Sequence, residues 1–391
     1  MWVDRVYLRI GCIPLLWLVL SCGSSIQQGE FVPDPIITEP REIMSLKIGS
    51  PAPDFQLPGV DGRWYSLDDF KKEVLVVVFL SNYCPYAQVY EDRLLEFYQD
   101  YQNKDVDLVV ISPNSPLAVP DDAQGYSDLD DSYEAMKIRA EEKDFPFPYL
   151  YDGDKQKVSA AYGPKEIPVA YIFDRQRTLQ YRGRIDYSHV WKSANAEDLR
   201  LSVNAVLRGG SIIRRERDSP GCKIYWSWDQ ADTDTLNKLW QESPVAVQEI
   251  DMDSLKTLMV NFSRDLRVIN FWATWCGPCK KEFPEFLKMR RIYHQRPVEL
   301  ISVSLDDLEN HAEVLAFLQQ MHAPGKNYLL TEKDKDRVRK EVYEDWDGSL
   351  PFTIMVEPFG ELYKIWQGPF DALEVRKAIV DHRLLGRYLP Y

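Results

Sequence analysis

Cys276 and Cys279 are separated by only two residues, in a segment that reads ATWCGPC (273–279). Two thiols at this spacing can form a local disulfide and return to the dithiol, which is the chemistry of thiol-disulfide exchange. The thiolate is the reacting species, so such a pair needs surroundings that favour ionised sulfur. We expect the first cysteine to be the nucleophile and the second to resolve the mixed disulfide.

The chain around this pair predicts how those surroundings arise. The run Leu266–Cys276 is mainly apolar, as in a parallel strand covered on both faces, and apolar residues then return at helical spacing. A helix that begins at the cysteines offers unpaired N–H groups and a partial positive charge, and both stabilise a thiolate. Gly277 and Pro278 set the turn, and the proline removes one backbone donor near the sulfurs.

A zinc site is the main alternative for two cysteines at this spacing. It requires a second pair of ligands, but no further Cys or His pair follows, and the five histidines are scattered along the chain. We therefore predict no metal, and no cofactor other than the redox-active Cys276–Cys279 disulfide.

The same local design occurs earlier in the chain, where residues 81–87 read SNYCPYA. Cys84 follows the apolar run that begins at Val74, but Ala87 stands where the second cysteine would be. This site cannot form the local disulfide. Cys222 is either a distant partner of Cys84 or a separate thiol.

The repetition extends well beyond the cysteines. Each copy continues with a helical pattern, a second apolar strand, a proline followed by strand, turn and strand, and a closing helix. The second strands are Val106–Ser112 and Val298–Ser304, the prolines are Pro168 and Pro351, and the closing helices are Ala196–Leu207 and Ala372–Leu384. This order predicts an α/β fold with two tandem domains, each a mixed central sheet flanked by helices.

The first 21 residues differ from the rest, because Arg5 and Arg9 precede the short apolar stretch Ile10–Leu20. The stretch is too short to cross a membrane stably but suits a signal peptide. It resembles a bacterial lipoprotein signal, which implies cleavage before Cys22 and acylation of Cys22. An uncleaved anchor is the competing interpretation. Both place the protein in the cell envelope, tethered to a membrane and facing the periplasm or extracytoplasmic space.

We divide the chain into five parts: a signal peptide (1–21), a tether (22–45), a first domain (46–210), a linker or tail segment (211–245) and a second domain (246–391). The first domain contains an unusually long loop, Ser112–Asp131, which suits either a substrate-facing lid or a mobile insertion. The net charge of −14 and the pI near 5.0 exclude nucleic acid as a partner, because phosphate binding needs a concentrated cationic face.

Residues from about 246 onward resemble the TlpA/ResA group of membrane-tethered thiol-disulfide oxidoreductases, which have a thioredoxin fold. The segment NFWATWCGPCKKEFPEF (270–286) carries this resemblance. It implies that Glu282 modulates the cysteine pair, that Asn270 replaces a buried aspartate of cytoplasmic thioredoxins, and that Pro284 kinks the helix. Trp275, Gly277 and Pro278 are supporting residues of the motif.

Pro351, in the segment SLPFT, matches the cis-proline of the thioredoxin fold. The resemblance implies that it presents the backbone of Leu350 beside Cys276, where a client strand can pair. The hairpin that usually precedes the fold in this group (APDF…LPG…DG) is missing from the second copy.

That hairpin is present in the first copy, in Gly49–Phe70. With NYCPYAQVYEDRL (82–94) and GCKIYW (221–226), it makes residues 46–226 resemble the AhpC/TSA branch, which is related to peroxiredoxins and also thioredoxin-like. Peroxiredoxins carry proline and threonine seven and three residues before the reactive cysteine, whereas this chain has Val77 and Ser81. Arg182 or Arg184 is a candidate for the cation of a peroxide site, or a surface arginine.

Three interpretations of Cys84 therefore stand. It is a peroxidatic thiol resolved by Cys222, or it forms a static disulfide with Cys222 that pins the tail, or it is a relic in a domain that binds a partner. The second possible site comprises Cys84, Cys222 and Pro168.

The chain is thus predicted to reduce disulfides of extracytoplasmic proteins through Cys276 and Cys279, with a membrane electron donor restoring the dithiol. A reductase is favoured because Gly-Pro between the cysteines is also the thioredoxin dipeptide, and thioredoxin has a potential of about −270 mV. The alternatives are a thiol peroxidase that uses Cys84 and is regenerated by the second domain, and a non-enzymatic adaptor.

Overall fold

A computed structural model describes residues 39–187 and 195–387. The predicted signal peptide, the acylation site Cys22 and most of the tether lie outside the described residues. We call residues 46–210 the first copy and residues 246–391 the second copy.

The first copy is built around a five-stranded sheet with strand order β5-β4-β3-β7-β8. Its central strand is apolar throughout and fully buried, because helices cover both faces of the sheet. The elements are β1 (Gln56–Pro58), β2 (Trp64–Ser66), β3 (Val74–Phe79), α1 (Pro85–Tyr101), β4 (Val106–Ser112), α2 (Tyr133–Glu142), β5 (Tyr149–Tyr151), α3 (Lys157–Tyr162), β6 (Glu166–Ile167), β7 (Val169–Phe173), β8 (Leu179–Gly183) and α4 (Glu197–Leu207).

The segment predicted as a linker or tail carries regular structure of its own. It contains β9 (Cys222–Lys223), which pairs antiparallel with β6, and α5 (Gln230–Gln241). Part of this segment therefore completes the first copy.

The second copy repeats the plan in a six-stranded sheet with order β10-β13-β12-β11-β14-β15. Its elements are β10 (Gln248–Ile250), α6 (Met252–Val260), β11 (Leu266–Trp272), α7 (Gly277–Tyr293), β12 (Val298–Ser304), α8 (His311–Gln320), β13 (Asn327–Leu330), α9 (Lys335–Val342), β14 (Phe352–Val356), β15 (Leu362–Gln367) and α10 (Ala372–Val380). In both copies the central strand has one parallel and one antiparallel neighbour, which confirms the predicted mixed α/β fold.

The long loop Ser112–Asp131 packs against α7 and against the C-terminal region of the second copy. Arg291 of α7 forms an ion pair with Asp121 at 2.6 Å, and Arg387 contacts the buried Asp128 at 2.6 Å. Between these two contacts, the guanidinium of Arg296 lies 3.6 Å from the ring centre of Tyr126. The loop is therefore packed between the copies and is not a mobile insertion, whereas the lid interpretation stays a prediction.

Candidate redox active site

Cys276 is the N-cap residue of α7, so its sulfur lies at the positive end of that helix. The structure joins Cys276 to Cys279 by a disulfide, and the Cys276 sulfur also accepts a hydrogen bond from the Cys279 N–H at 3.2 Å. Cys276 retains 5% exposure whereas Cys279 has none. An incoming thiol or disulfide therefore meets Cys276 first.

The peptide bond between Leu350 and Pro351 is cis. Leu350 packs against the apolar cluster that contains both Cys276 and Cys279. The structure therefore brings the Leu350–Pro351 segment to the cysteine pair, and β14 begins at the next residue.

Glu282 lies one helical turn beyond Cys279 and is buried, with 8% exposure. Its carboxylate accepts a hydrogen bond from Asn270 Nδ2 at 2.9 Å and another from the Phe370 N–H at 3.1 Å. Burial disfavours the ionised carboxylate more than these two donors favour it, and raises the pKa of Glu282 to about 7. This carboxyl group can therefore take up or release a proton near neutral pH.

The same amide group of Asn270 also donates to Thr353 Oγ1 at 2.9 Å. Asn270 on β11 and Thr353 on β14 are paired in the sheet. Hydrogen bonds of Asn270 on the central strand thus connect Thr353, just after the cis-proline, with Glu282 on the helix that carries the cysteines.

The first copy has no such polar connection at the equivalent positions. Val78 occupies the place of Asn270, six residues before the cysteine, and it pairs with Ala170, two residues after Pro168. Tyr90 occupies the place of Glu282, six residues after the cysteine. At this position of the helix, a buried carboxyl with its hydrogen bonds is therefore present in the second copy and absent from the first.

A surface groove of about 500 Å³ opens beside Glu282. Its walls come from the start of α7 and from the segment before α10, and the residues are Pro278, Lys281, Glu282, Glu285, Pro369, Phe370 and Ala372. Nearby in sequence, Trp275 precedes Cys276 and is 68% exposed. Exposed aromatic side chains of this kind are common in protein–protein contacts.

In the first copy, Cys84 and Cys222 form a disulfide across 138 residues of sequence. Cys84 is fully buried and Cys222 is half-buried. The Ile167–Pro168 bond is cis, like its counterpart in the second copy. The pairing of these cysteines was open from the sequence, and the structure gives it directly.

The residues considered for a peroxide pocket are dispersed. Val77 and Ser81 are buried near Cys84, whereas both arginines are bound to carboxylates. Arg182 contacts Glu216 at 2.9 Å, and Arg184 contacts Asp198 at 2.7 Å. In this structure each guanidinium is therefore paired with an acidic side chain of the first copy or of the tail that follows it.

Sequence reasoning missed two contributors to the redox site. The Phe370 N–H reaches Glu282 across 88 residues of sequence, and a backbone donor leaves no signature in residue type. Thr353 could have been found, because its hydroxyl lies at a central strand position that is otherwise apolar.

Among residues 39–187 and 195–387, no group of three His, Cys, Asp or Glu side chains has a geometry suited to a metal ion. Over the same residues, no helix combines the length and the apolar character needed to span a bilayer.

The AhpC/TSA family matches residues 48–182 and 248–372 of this chain. Thiol-disulfide oxidoreductase ResA of Oceanobacillus iheyensis is 34% identical over 189 residues, which is 47% of this chain and 88% of that protein. ResA of Bacillus subtilis is 33% identical over 101 residues, 26% of this chain and 51% of that protein.

Among solved structures, an uncharacterized conserved protein from Geobacillus kaustophilus is 35% identical, with a TM-score of 0.42, and the match covers 46% of this chain and 92% of that one. The chain therefore belongs to the AhpC/TSA family and, within it, to the thiol-disulfide oxidoreductases of thioredoxin fold.

Proposed function

We propose that the second copy reduces disulfides in client proteins through Cys276 and Cys279. The observation that carries this proposal is the buried carboxyl of Glu282, whose pKa of about 7 and position one turn after Cys279 suit it to proton exchange with that thiol. The equivalent position in the first copy, which lacks the second cysteine, is Tyr90.

The reaction begins when the Cys276 thiolate attacks one sulfur of a client disulfide. A bond forms between Cys276 and the client, and the other client sulfur leaves as a thiolate. Cys279 then loses its proton, for which Glu282 is the proposed acceptor, and attacks Cys276. The Cys276–Cys279 disulfide forms and the client is released. The client gains two electrons and two protons, and the enzyme loses both.

Client binding is proposed to use the backbone beside Pro351 and the exposed surface around Trp275. An extended client segment can add to the strand edge at Leu350, which supplies main-chain affinity without restricting sequence. The indole of Trp275 and the groove by Phe370 add apolar contacts.

We further propose that the protein is held in the cell envelope by acylation of Cys22 and acts outside the cytoplasm. A membrane-bound electron donor would then return Cys276–Cys279 to the dithiol. Mass spectrometry of the mature N-terminus tests the anchor, since cleavage and acylation change its mass and an uncleaved leader does not.

A trapping experiment tests the central proposal. Cys279→Ser leaves Cys276 able to attack but unable to be released, so client proteins should accumulate as mixed disulfides that a reductant dissolves. Cys276→Ser is the matched control and should trap nothing. Equal trapping by both variants, or full biological activity of the Cys276→Ser/Cys279→Ser chain, would contradict the proposal; the second result is the one an adaptor predicts.

A further inference from the structure

The cis-prolines Pro168 and Pro351 precede equivalent strands, β7 and β14, but the residues before them have different neighbours. In the second copy the residue before Pro351 is Leu350, which lies at the cysteine pair. In the first copy the residue before Pro168 is Ile167, and this residue is paired with a strand from the chain's own tail.

The tail strand lies where a bound peptide would lie. β9 runs antiparallel to β6, with Cys222 opposite Ile167 and Lys223 opposite Glu166. Cys222 is at the same time bonded to Cys84, the N-cap residue of α1, just as Cys276 is the N-cap residue of α7. The Cys84 sulfur lies 3.5 Å from the Ile167 carbonyl oxygen.

Further contacts hold residues 219–223, here called the tail segment, against the edge of β6 at Ile167. The Ser219 hydroxyl donates to the Pro168 carbonyl, and the Tyr83 hydroxyl donates to the Lys223 carbonyl. Gly221 passes so close to Ile167 that a Cβ at this position would lie 2.0 Å from the Ile167 carbonyl oxygen. Only glycine allows this approach, so the close packing of the tail segment against Ile167 depends on Gly221.

We propose that the tail segment is a built-in occupant of a second peptide-binding edge, and that Cys84 is a latent site for exchange with disulfides in extended polypeptide segments. The Cys84–Cys222 bond then has the arrangement of a mixed disulfide between a thioredoxin-like site and a bound client. The client here belongs to the same chain. This inference concerns the first copy and does not depend on the function proposed for the second.

Opening the site requires a dithiol reductant. One thiolate of the dithiol attacks the sulfur of Cys222, the less buried residue of the pair, and Cys84 leaves as a thiolate. The second thiol of the dithiol then displaces Cys222, so that the dithiol is oxidised and both protein cysteines are reduced. Departure of the tail segment leaves Cys84 beside the free edge of Ile167.

The downstream end of the tail stays attached during this opening. The Tyr225 N–H donates to Asn114 Oδ1 at 2.9 Å, and the Ser115 N–H donates to the Tyr225 carbonyl at 3.0 Å. Trp226 is buried. The movement is therefore confined to the residues before Tyr225, which hinge away from Pro168.

A peptide exchange experiment tests the proposal. The chain carries Gly221→Val and Cys222→Ser, which displace the tail segment, with Cys276→Ser and Cys279→Ser to silence the other site. The probe is the peptide Asp218–Ile224, DSPGCKI, activated as its 2-thiopyridyl disulfide. Attack by Cys84 joins the peptide to the chain and releases pyridine-2-thione, which is followed by absorbance, while mass spectrometry locates the bond.

The control chain carries Gly210→Val in place of Gly221→Val, because a Cβ at Gly210 would meet nothing closer than 3.5 Å. We expect Cys84 to react at least about tenfold faster in the Gly221→Val chain. A second peptide with valine in place of its glycine should lose most of this advantage. Equal rates for the two chains, or for the two peptides, would overturn the proposal.

Hydrogen exchange on the unsubstituted chain gives an independent measurement if the valine variant does not fold. After reduction of Cys84–Cys222 by a dithiol, the backbone N–H groups of Ser219, Gly221, Cys222 and Lys223 should exchange at least about tenfold faster, while those of β3 stay protected. Unchanged protection of the tail segment in the reduced protein would show a static clamp and overturn the proposal.

Discussion

Asn270 on the central strand of the second copy donates a hydrogen bond of 2.9 Å to Glu282 on the helix that carries both reactive cysteines. Its amide is shared with Thr353, two residues after the cis-proline. The strand, the helix and the proline segment are thus joined by one buried side chain, that of Asn270.

Replacing Glu282 with Gln should slow the release step of client reduction. The amide keeps the size of the side chain but cannot accept a proton from Cys279, so we expect a loss of about 100-fold at pH 7. The first attack by Cys276 should change little. Single-turnover kinetics with a disulfide peptide separate the two steps. An equal loss in both would indicate disturbed structure instead of lost proton transfer.

The stability of the oxidised protein should depend on pH through the same carboxyl. Its pKa is about 7 in the folded state, against 4.5 for an unperturbed glutamate. The folded state therefore holds the proton more tightly, and the stabilisation is complete below about pH 4.5 and is lost as the pH rises through about 7. Relative to Glu282→Gln, the protein should lose up to about 3 kcal/mol between these limits, measured by denaturant unfolding.

Asn270→Val should raise the pH at which the stabilisation by protonated Glu282 is lost. It installs the residue found at the equivalent position of the first copy, and it removes a donor that favours ionised Glu282, so the pKa should rise above 7. Thr353→Val is the matched control, because it removes the other partner of Asn270 and leaves the bond to Glu282. A larger rise in the pKa of Glu282 in Thr353→Val than in Asn270→Val would contradict this role of Asn270.

Trp275→Ala should weaken client binding without affecting the fold. The side chain is 68% exposed, so its removal should change stability by less than about 0.5 kcal/mol. We expect KM for a protein client to rise about tenfold, with kcat for a small disulfide unchanged. Phe262→Ala is the control, since this side chain is 73% exposed and precedes the opposite end of β11. Equal effects of both variants would contradict a specific role for Trp275.

The two disulfides should differ in their contribution to stability. Cys84–Cys222 closes a loop across 138 residues, and restriction of the unfolded chain predicts a loss of about 5 kcal/mol for Cys222→Ser. Cys276–Cys279 closes a loop across only 3 residues, so Cys279→Ser should cost about 2 kcal/mol. Urea unfolding of the two variants checks the order, and the reverse order would show that strain or packing dominates.

Asp128→Ala should loosen the contact between the two copies. Burial disfavours the charge of Asp128, but Arg139 and Arg387 outweigh it and lower its pKa to about 2. Removing this carboxylate leaves the buried Arg139 with only its longer contacts to Glu91 at 3.6 Å and Glu142 at 3.9 Å, which should cost about 2–3 kcal/mol. Asp68→Ala, at an almost fully exposed ion pair, should cost less than about 1 kcal/mol. Limited proteolysis should show cleavage in loop 112–131 only for Asp128→Ala.

The sequence predicted the strands that build both sheets, and the reason is physical. Val106–Ser112 and Val298–Ser304 have the predicted bounds, because parallel strands buried on both faces leave a mainly apolar run, here interrupted by a charged residue only at the second position, Asp107 or Glu299. The loop Ser112–Asp131 was different, because its prolines and acidic residues indicate a loop but not what the loop touches. Its partners, such as Arg291, lie about 170 residues away in sequence.

The docking of that loop has a mechanical consequence for the redox helix. The N-terminus of α7 carries the cysteine pair, while its C-terminal half is fixed to the first copy through Lys288 and Arg291. The direction in which the cysteine pair faces is therefore set by contacts of α7 with the first copy as well as by the fold of the second copy. We therefore expect a client disulfide to adjust its own geometry to a helix end whose orientation is already set.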